Sequence, residues 1–128
     1  MNVDVGRAGD FIAAAALARM GVQCVISQQT GFDLVAFVPE PIRIEVKTAS
    51  KLSNENGKSY AFMTSRGSSK KEPITRETSD MICLVALPER IAIFRHIDEI
   101  TGRNTRVPAD QFTRVNEEKS WVETVECL

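Results

Sequence analysis

The stretch Ile42–Thr48 reads Ile-Arg-Ile-Glu-Val-Lys-Thr and alternates between apolar and charged side chains up to Lys47. Successive side chains of a β-strand point to opposite faces of a sheet, so this alternation predicts a strand with one apolar and one charged face. The apolar face holds Ile42, Ile44 and Val46, and the charged face holds Arg43, Glu45 and Lys47. Pro39–Pro41, just before it, reads as a connection because proline cannot donate a hydrogen bond to a ladder.

The sequence around this strand predicts an α/β fold. An Ala-rich run predicts a helix over Gly6–Gly21, which Gly9-Asp10 opens and Gly21 ends as a C-cap. Strands are predicted at Val22–Ser27, Phe32–Val38, Tyr60–Thr64, Met81–Leu87 and Ile91–Ile97, and a short helix near Ile74–Ser79. This order is typical of an α/β domain with a mixed sheet, and 128 residues suffice for one domain but not for two. Residues 98–128 are more polar and their pattern predicts no element.

Composition limits the classes of protein to which the chain can belong. Apolar residues make up 43% of the chain and charged residues 26%, as in ordinary soluble globular proteins. The longest apolar stretch, around Phe11–Leu17, is far shorter than the roughly 20 residues that span a bilayer, and no signal peptide is visible. The three cysteines form neither a disulfide framework nor a metal knuckle. We therefore expect an intracellular protein with no membrane partner.

The charges are distributed unevenly along the chain. Its net charge is −1, yet the segment from Arg43 to Arg76 holds eight basic and three acidic residues, which gives that segment +5 and the remainder −6. Such an asymmetry favours one basic surface, as a polyanion such as a nucleic acid requires. A solvated loop rich in lysine and arginine is the alternative interpretation.

Asp33 and Glu45 are acids within strongly apolar strands, where an unpaired charge is costly. Strand parity places Glu45 beside Lys47, and the Pro39–Pro41 connection folds Asp33 back towards them. One lysine offsets two carboxylates only in part, whereas a divalent cation would neutralise them. Oxygen ligands without histidine or thiolate favour Mg²⁺, with Mn²⁺ as a substitute, and the carbonyl of Val46 is a further candidate ligand. Such a site predicts hydrolysis of a phosphodiester.

The same residues allow a purely structural interpretation. Asp33 and Lys47 could form a cross-strand ion pair while Glu45 is solvated. The acid-x-Lys pattern is itself common, and Glu117-Glu118-Lys119 repeats it in a polar stretch without an apolar strand around it. Only the triplet at Glu45 lies in an alternating strand that follows a strand bearing an aspartate.

The runs Gly6–Asp10, Phe32–Val35 and Ile44–Thr48, with the Ala-rich helix between the first two, resemble the core of the PD-(D/E)XK nuclease superfamily. The similarity is greatest to its Holliday-junction-resolvase-like enzymes and its intron-encoded homing endonucleases. It covers roughly residues 4–97, the restriction-endonuclease-like αβββαβ core, and leaves 98–128 as a C-terminal extension of a single nuclease domain, 1–128.

The resemblance implies a Mg²⁺-dependent DNA endonuclease and a role for each matching residue. Asp33 matches the metal-binding aspartate, Glu45 the second metal carboxylate and Lys47 the catalytic lysine. Asp10 matches the acid on the first helix that often completes the metal site. Phe32 stands where the family's name has proline, and Asp80 resembles the aspartate that opens a later strand, which we expect to be structural.

The DNA-binding surface and the assembly follow from the same interpretation. We expect DNA as the partner and a homodimer or a larger symmetric oligomer, because two cuts need two sites related by symmetry. A non-catalytic DNA-binding or assembly module on the same fold is the alternative, and the choice among a duplex site, a junction, a nick and a flap stays open. The candidate DNA contacts are Arg7, Lys51, Arg66, Lys70 and Lys71.

Overall fold

The computed structural model describes residues 3–27, 32–53, 57–66, 72–73, 76–100 and 102–128, with the backbone alone described at 65–66 and 72–73. Its helices are α1 (Val5–Arg19) and α2 (Arg114–Glu126), with short 3₁₀ turns at Ile97–Glu99 and Ala109–Gln111. None of the helices in these ranges is long and apolar enough to cross a membrane. The strands are β1 (Gln23–Ile26), β2 (Leu34–Phe37), β3 (Pro41–Ala49), β4 (Ser59–Met63), β5 (Ser65–Arg66), β6 (Glu72–Pro73), β7 (Met81–Ala86), β8 (Ile91–His96) and β9 (Asn104–Pro108).

A five-stranded mixed sheet in the order β1-β2-β3-β7-β8 forms the centre of the fold. Only the pairing of β3 with β7 is parallel, and the other neighbours are antiparallel. The predicted α/β class with a mixed sheet is therefore confirmed. Pro41, expected in a connection, instead begins β3 and pairs with Phe37, since the first residue of a strand tolerates proline.

Each face of this sheet packs against a different layer. One face carries the predicted apolar side of β3 and packs against small residues of α1, such as Ala13 and Ala16, and against Trp121 of α2. The other face packs against the two-stranded β4–β9 ribbon, whose Tyr60, Phe62 and Val107 are buried. Because both faces are covered, β7 is buried at every position, as the continuous apolar run Met81–Ala86 requires.

Helix α1 begins one turn earlier than Gly9-Asp10 predicted, because the Asp4 side chain caps it by accepting from the Arg7 N–H at 3.0 Å. Gly21 follows the C-cap with φ of 75°, in the left-handed region. Gly9 marks the closest approach of α1 to the sheet: a Cβ there would lie 1.7 Å from Thr48 Oγ1 and 2.9 Å from Thr48 Cβ. A hydrogen atom at Gly9 therefore lets the helix lie directly on β3.

Helix α2 covers the outer edge of β8 with its side chains. Glu117 Oε2 accepts from the Ala92 N–H at 2.8 Å, Ser120 Oγ accepts from the Phe94 N–H at 3.0 Å, and Thr124 Oγ1 donates to the Phe94 carbonyl at 3.1 Å. The buried Glu117 carboxylate also binds the guanidinium groups of Arg19 and Arg114. Residues 98–128, for which the sequence pattern predicted no element, thus provide hydrogen-bond partners for backbone groups of the edge strand β8.

The predicted short helix near Ile74–Ser79 is wrong over the described residues 76–79, where the chain makes a turn. The Arg43 guanidinium donates to the carbonyls of Glu77 and Arg76 at 3.0 and 2.9 Å. These hydrogen bonds, between residues far apart in the sequence, stabilise the turn. Asp80 holds Arg43 in place through its backbone N–H and its guanidinium, in agreement with the expected structural role.

The contact at Gly9 generates a stability prediction. Gly9→Ala should lower the free energy of unfolding by about 1–3 kcal/mol, because the added methyl group overpacks against Thr48. Gly6→Ala is the matched control, since its nearest neighbour would be the Asp4 side chain at 3.8 Å. That control should leave stability unchanged or raise it by up to about 1 kcal/mol. Urea unfolding of both variants measures the difference, and equal stabilisation by both would contradict the close approach.

Candidate active site

Asp33 lies directly before β2 and is held against the middle of β3. Its backbone N–H donates to the Ile44 carbonyl at 2.8 Å, and its carbonyl accepts from the Ser27 N–H at 2.7 Å. Its side-chain Oδ2 accepts from the Val46 N–H at 2.7 Å. The pairing of β2 with β3 ends at Leu34 and Ile44, and Asp33 lies just beyond that point. The backbone therefore fixes this carboxylate beside the Glu-Val-Lys triplet.

Glu45 and Lys47 lie on the same face of β3, two residues apart. Glu45 Oε1 is 3.5 Å from Lys47 Nζ. The glutamate is only 9% exposed, which contradicts the structural interpretation in which it would be solvated. An ion pair that is largely removed from water has to offset the cost of desolvating both groups. This strand thus carries charge where the neighbouring positions of the sheet carry apolar side chains.

Asp10 reaches the same region from α1, one residue after the close approach at Gly9. Burial and then the negative charge of Asp33 raise the pKa of Asp10 from 3.8 to about 6, while Arg7 acts in the opposite direction. The positive charge of Arg7 thus does not offset the cost of burying the ionised Asp10 carboxylate. The charges of Asp10 and Asp33 interact, and we call these two residues the acid pair.

The candidate site consists of two parts, joined by the hydrogen bond from Val46 to Asp33. One part is the acid pair Asp10 and Asp33, and the other is the ion pair Glu45 and Lys47. Within the described ranges, no three His, Cys, Asp or Glu side chains lie close enough together to enclose a metal ion. The donors present are carboxylate oxygens, which suit a hard divalent cation, and the acid pair carries negative charge that such a cation would neutralise. The carbonyl of Val46 stays a predicted ligand.

The predicted DNA contacts are only partly described. The Arg7 backbone N–H donates to the capping Asp4 side chain, and the Arg7 guanidinium lies 5.6 Å from the centre of the Phe11 ring. Arg7 stays a predicted DNA contact. Lys51 is exposed just beyond the end of β3. Arg66 lies in β5, where only the backbone is described, and Lys70 and Lys71 lie outside the described residues.

One residue near the site, Arg106, escaped sequence reasoning, and another, Thr48, has unexpected surroundings. Thr48 Oγ1 is buried against Gly9 and has no hydrogen-bond partner among the described residues. Arg106 lies on β9 opposite Ala61 of β4, and it lines the same cavity as Lys51. No sequence signal could have found Arg106, because strand pairing alone brings it to the end of β3.

Comparisons of the chain with known proteins give structural matches only. No protein-family model matches the sequence, and no curated protein matches it. A bacterial homing endonuclease, I-Ssp6803I, superposes with a TM-score of 0.76 at 16% identity, over 96% of this chain and 93% of that one. Hjc, a Holliday junction resolvase of Archaeoglobus fulgidus, superposes with a TM-score of 0.50 at 14% identity, over 84% of this chain and 86% of that one. The chain therefore has the PD-(D/E)XK nuclease fold, in agreement with the resemblance of its sequence motifs.

Proposed function

We propose that this protein is a metal-dependent DNA endonuclease that hydrolyses phosphodiester bonds. The observation that carries the proposal is the Asp33 carboxylate, which accepts from the Val46 N–H within the Glu45-Val46-Lys47 triplet and whose negative charge raises the pKa of Asp10. This arrangement occurs in a fold shared with a homing endonuclease and a junction resolvase. In a non-catalytic module, charged groups in such an apolar strand would lower stability without contributing to catalysis.

The acid pair would hold the metal ion. The negative charges of Asp10 and Asp33 repel each other, and a bound Mg²⁺ ion would remove this repulsion. Glu45 and the Val46 carbonyl would be further ligands of the ion, and Mn²⁺ could replace Mg²⁺. A bound Mg²⁺ polarises a phosphoryl oxygen and lowers the pKa of water. The Val46 N–H fixes Asp33 through Oδ2, so this side chain needs little reorganisation when it binds a cation.

Lys47 would act on the reacting phosphate. The Lys47 side chain is 24% exposed, so it can contact the backbone of bound DNA while Glu45 keeps it on its face of β3. From there it stabilises the negative charge that develops on the phosphorane and orients or deprotonates the attacking water. Glu45 therefore positions the lysine as well as contributing charge to the metal site.

DNA is the proposed substrate, and a symmetric homodimer or larger oligomer is the proposed active form. One chain carries one site, so cutting both strands of a duplex or both arms of a junction requires a second copy. The basic segment between Arg43 and Arg76 supplies the positive charge that the phosphate backbone needs.

The proposal predicts the behaviour of variants at the site. Asp33→Asn, Glu45→Gln and Lys47→Ala should each lower the cleavage rate by about 100-fold or more, the scale on which positioned charges act in transition states. DNA binding should persist or tighten in the two acid variants, because they remove charge that repels phosphate. Cleavage of linear, nicked and four-way-junction DNA with Mg²⁺, beside an EDTA control, measures the rates.

The second acid-x-Lys triplet provides the matched controls. Glu118 and Lys119 are exposed on α2, on the far side of β8, so Glu118→Gln and Lys119→Ala should cut at the wild-type rate. Full activity in Glu45→Gln, or equal loss in the α2 variants, would disprove the assignment of the site.

The raised pKa of Asp10 predicts a pH dependence of stability in the metal-free protein. The folded state holds a proton on Asp10 up to about pH 6, whereas the unfolded chain releases it near 3.8. The folded state thus binds more protons between these values, so the free energy of unfolding falls as pH rises through that window. Asp10→Asn should remove this fall, and saturating Mg²⁺ should oppose it in the wild type. Melting temperatures between pH 4 and pH 7 test the expectation, and parallel profiles for wild type and Asp10→Asn would contradict it.

A further inference from the structure

A groove opens where β3 ends, immediately after the candidate active site. It has a volume of about 470 Å³ and lies between the end of β3 and the outer face of the β4–β9 ribbon. We call it the exit groove. Its lining includes Thr48, Ser50, Lys51, Ser53, Ala61 and Arg106.

The lining of the exit groove has the chemistry of an anion site. Among the described residues it contains two cations, Lys51 and Arg106, several hydroxyl groups, and no acid. Arginine binds phosphate through a planar fork of donors, and lysine adds a compact positive charge. Ala61, which pairs with Arg106 across the ribbon, adds only a methyl group to the lining.

The position of the groove relates it to the catalytic lysine. Lys51 follows Lys47 by four residues, and β3 ends between them at Ala49. An extended strand rises about 3.3 Å per residue, so the Cα atoms of the two lysines are at most about 13 Å apart. One strand of duplex DNA rises about 3.4 Å per nucleotide, so the groove is within about four nucleotides of a phosphate held at Lys47. A continuous DNA strand can therefore occupy both places.

We propose that the exit groove binds a backbone phosphate within about four nucleotides of the one that is cleaved, with Lys51 and Arg106 as its charged contacts. This inference rests on the proposed DNA substrate. The two cations come from separate parts of the chain, the end of β3 and the β9 strand, so the groove fixes the DNA relative to both layers of the fold. Contacts to phosphate set the register of the DNA and carry no information about its sequence.

Equilibrium DNA binding without metal tests the inference independently of cleavage. Lys51→Ala and Arg106→Ala should each weaken binding by a similar factor for DNA molecules of unrelated sequence. Each should also reduce the slope of log affinity against log salt concentration by the contribution of about one phosphate contact. Affinity should then fall about 3.5-fold less than in wild type between about 50 and about 200 mM salt. Arg106→Lys, which keeps the charge, should restore most of the slope. Lys119→Ala removes a lysine of α2 that is 66% exposed and should leave the slope unchanged.

The outcomes distinguish this inference from the proposed function. If wild type cuts DNA while Arg106→Ala and Lys51→Ala retain the wild-type salt slope, the exit groove is not a phosphate site and the endonuclease proposal stands. If both variants lose slope and the wild type never cuts, the groove binds DNA and the endonuclease proposal fails. A loss of slope in Lys119→Ala equal to that in Arg106→Ala would also overturn the inference, because the effect would then follow net charge alone.

Discussion

The hydrogen bond from the Val46 N–H to Asp33 Oδ2, 2.7 Å long, is the contact on which the candidate site depends. It joins a residue that precedes β2 to the centre of β3, and so holds one carboxylate at the Glu45-Val46-Lys47 triplet. Since the donor is a backbone N–H of β3, the packing of the whole sheet fixes the position of that donor. Asp10 depends on a second constraint, the absence of a side chain at Gly9, because only that absence lets α1 lie against Thr48.

The concentration of charge at β3 is costly, and the surrounding packing offsets it. Both faces of the sheet are covered, by α1 and α2 on one side and by the β4–β9 ribbon on the other. The buried Glu117 carboxylate differs from these acids, because two arginines and the Ala92 N–H bind it and offset the cost of its burial. Among the residues that the structure describes, Asp10 has no comparable set of partners, and its pKa rises to about 6. A buried acid with satisfied partners supports the fold, whereas one whose pKa rises in this way is a candidate for binding a cation.

The sequence predicts the central strands well because a buried strand has a period of two that few other patterns imitate. The same alternation places Glu45 with Lys47, and the short connection after β2 brings Asp33 to them. Contacts between residues far apart in the sequence produce no such periodic pattern. Arg43 donates to the carbonyls of residues 76 and 77 and stabilises a turn where a helix was predicted. Arg106 reaches the exit groove through strand pairing, and the polar sequence of α2 gives no sign that Glu117 is buried.

The central claim is that Asp10 and Asp33 form an acid pair that binds a divalent cation. Carbon-13 NMR titration of the Asp10 side-chain carboxyl tests it most directly, in wild type with and without Mg²⁺ and in metal-free Asp33→Asn. We expect the carboxyl to titrate near pH 6 without metal, at a lower pH in Asp33→Asn, and at a lower pH again when Mg²⁺ is added to wild type. A midpoint that Mg²⁺ leaves unchanged, with wild type and Asp33→Asn titrating alike, would contradict the claim.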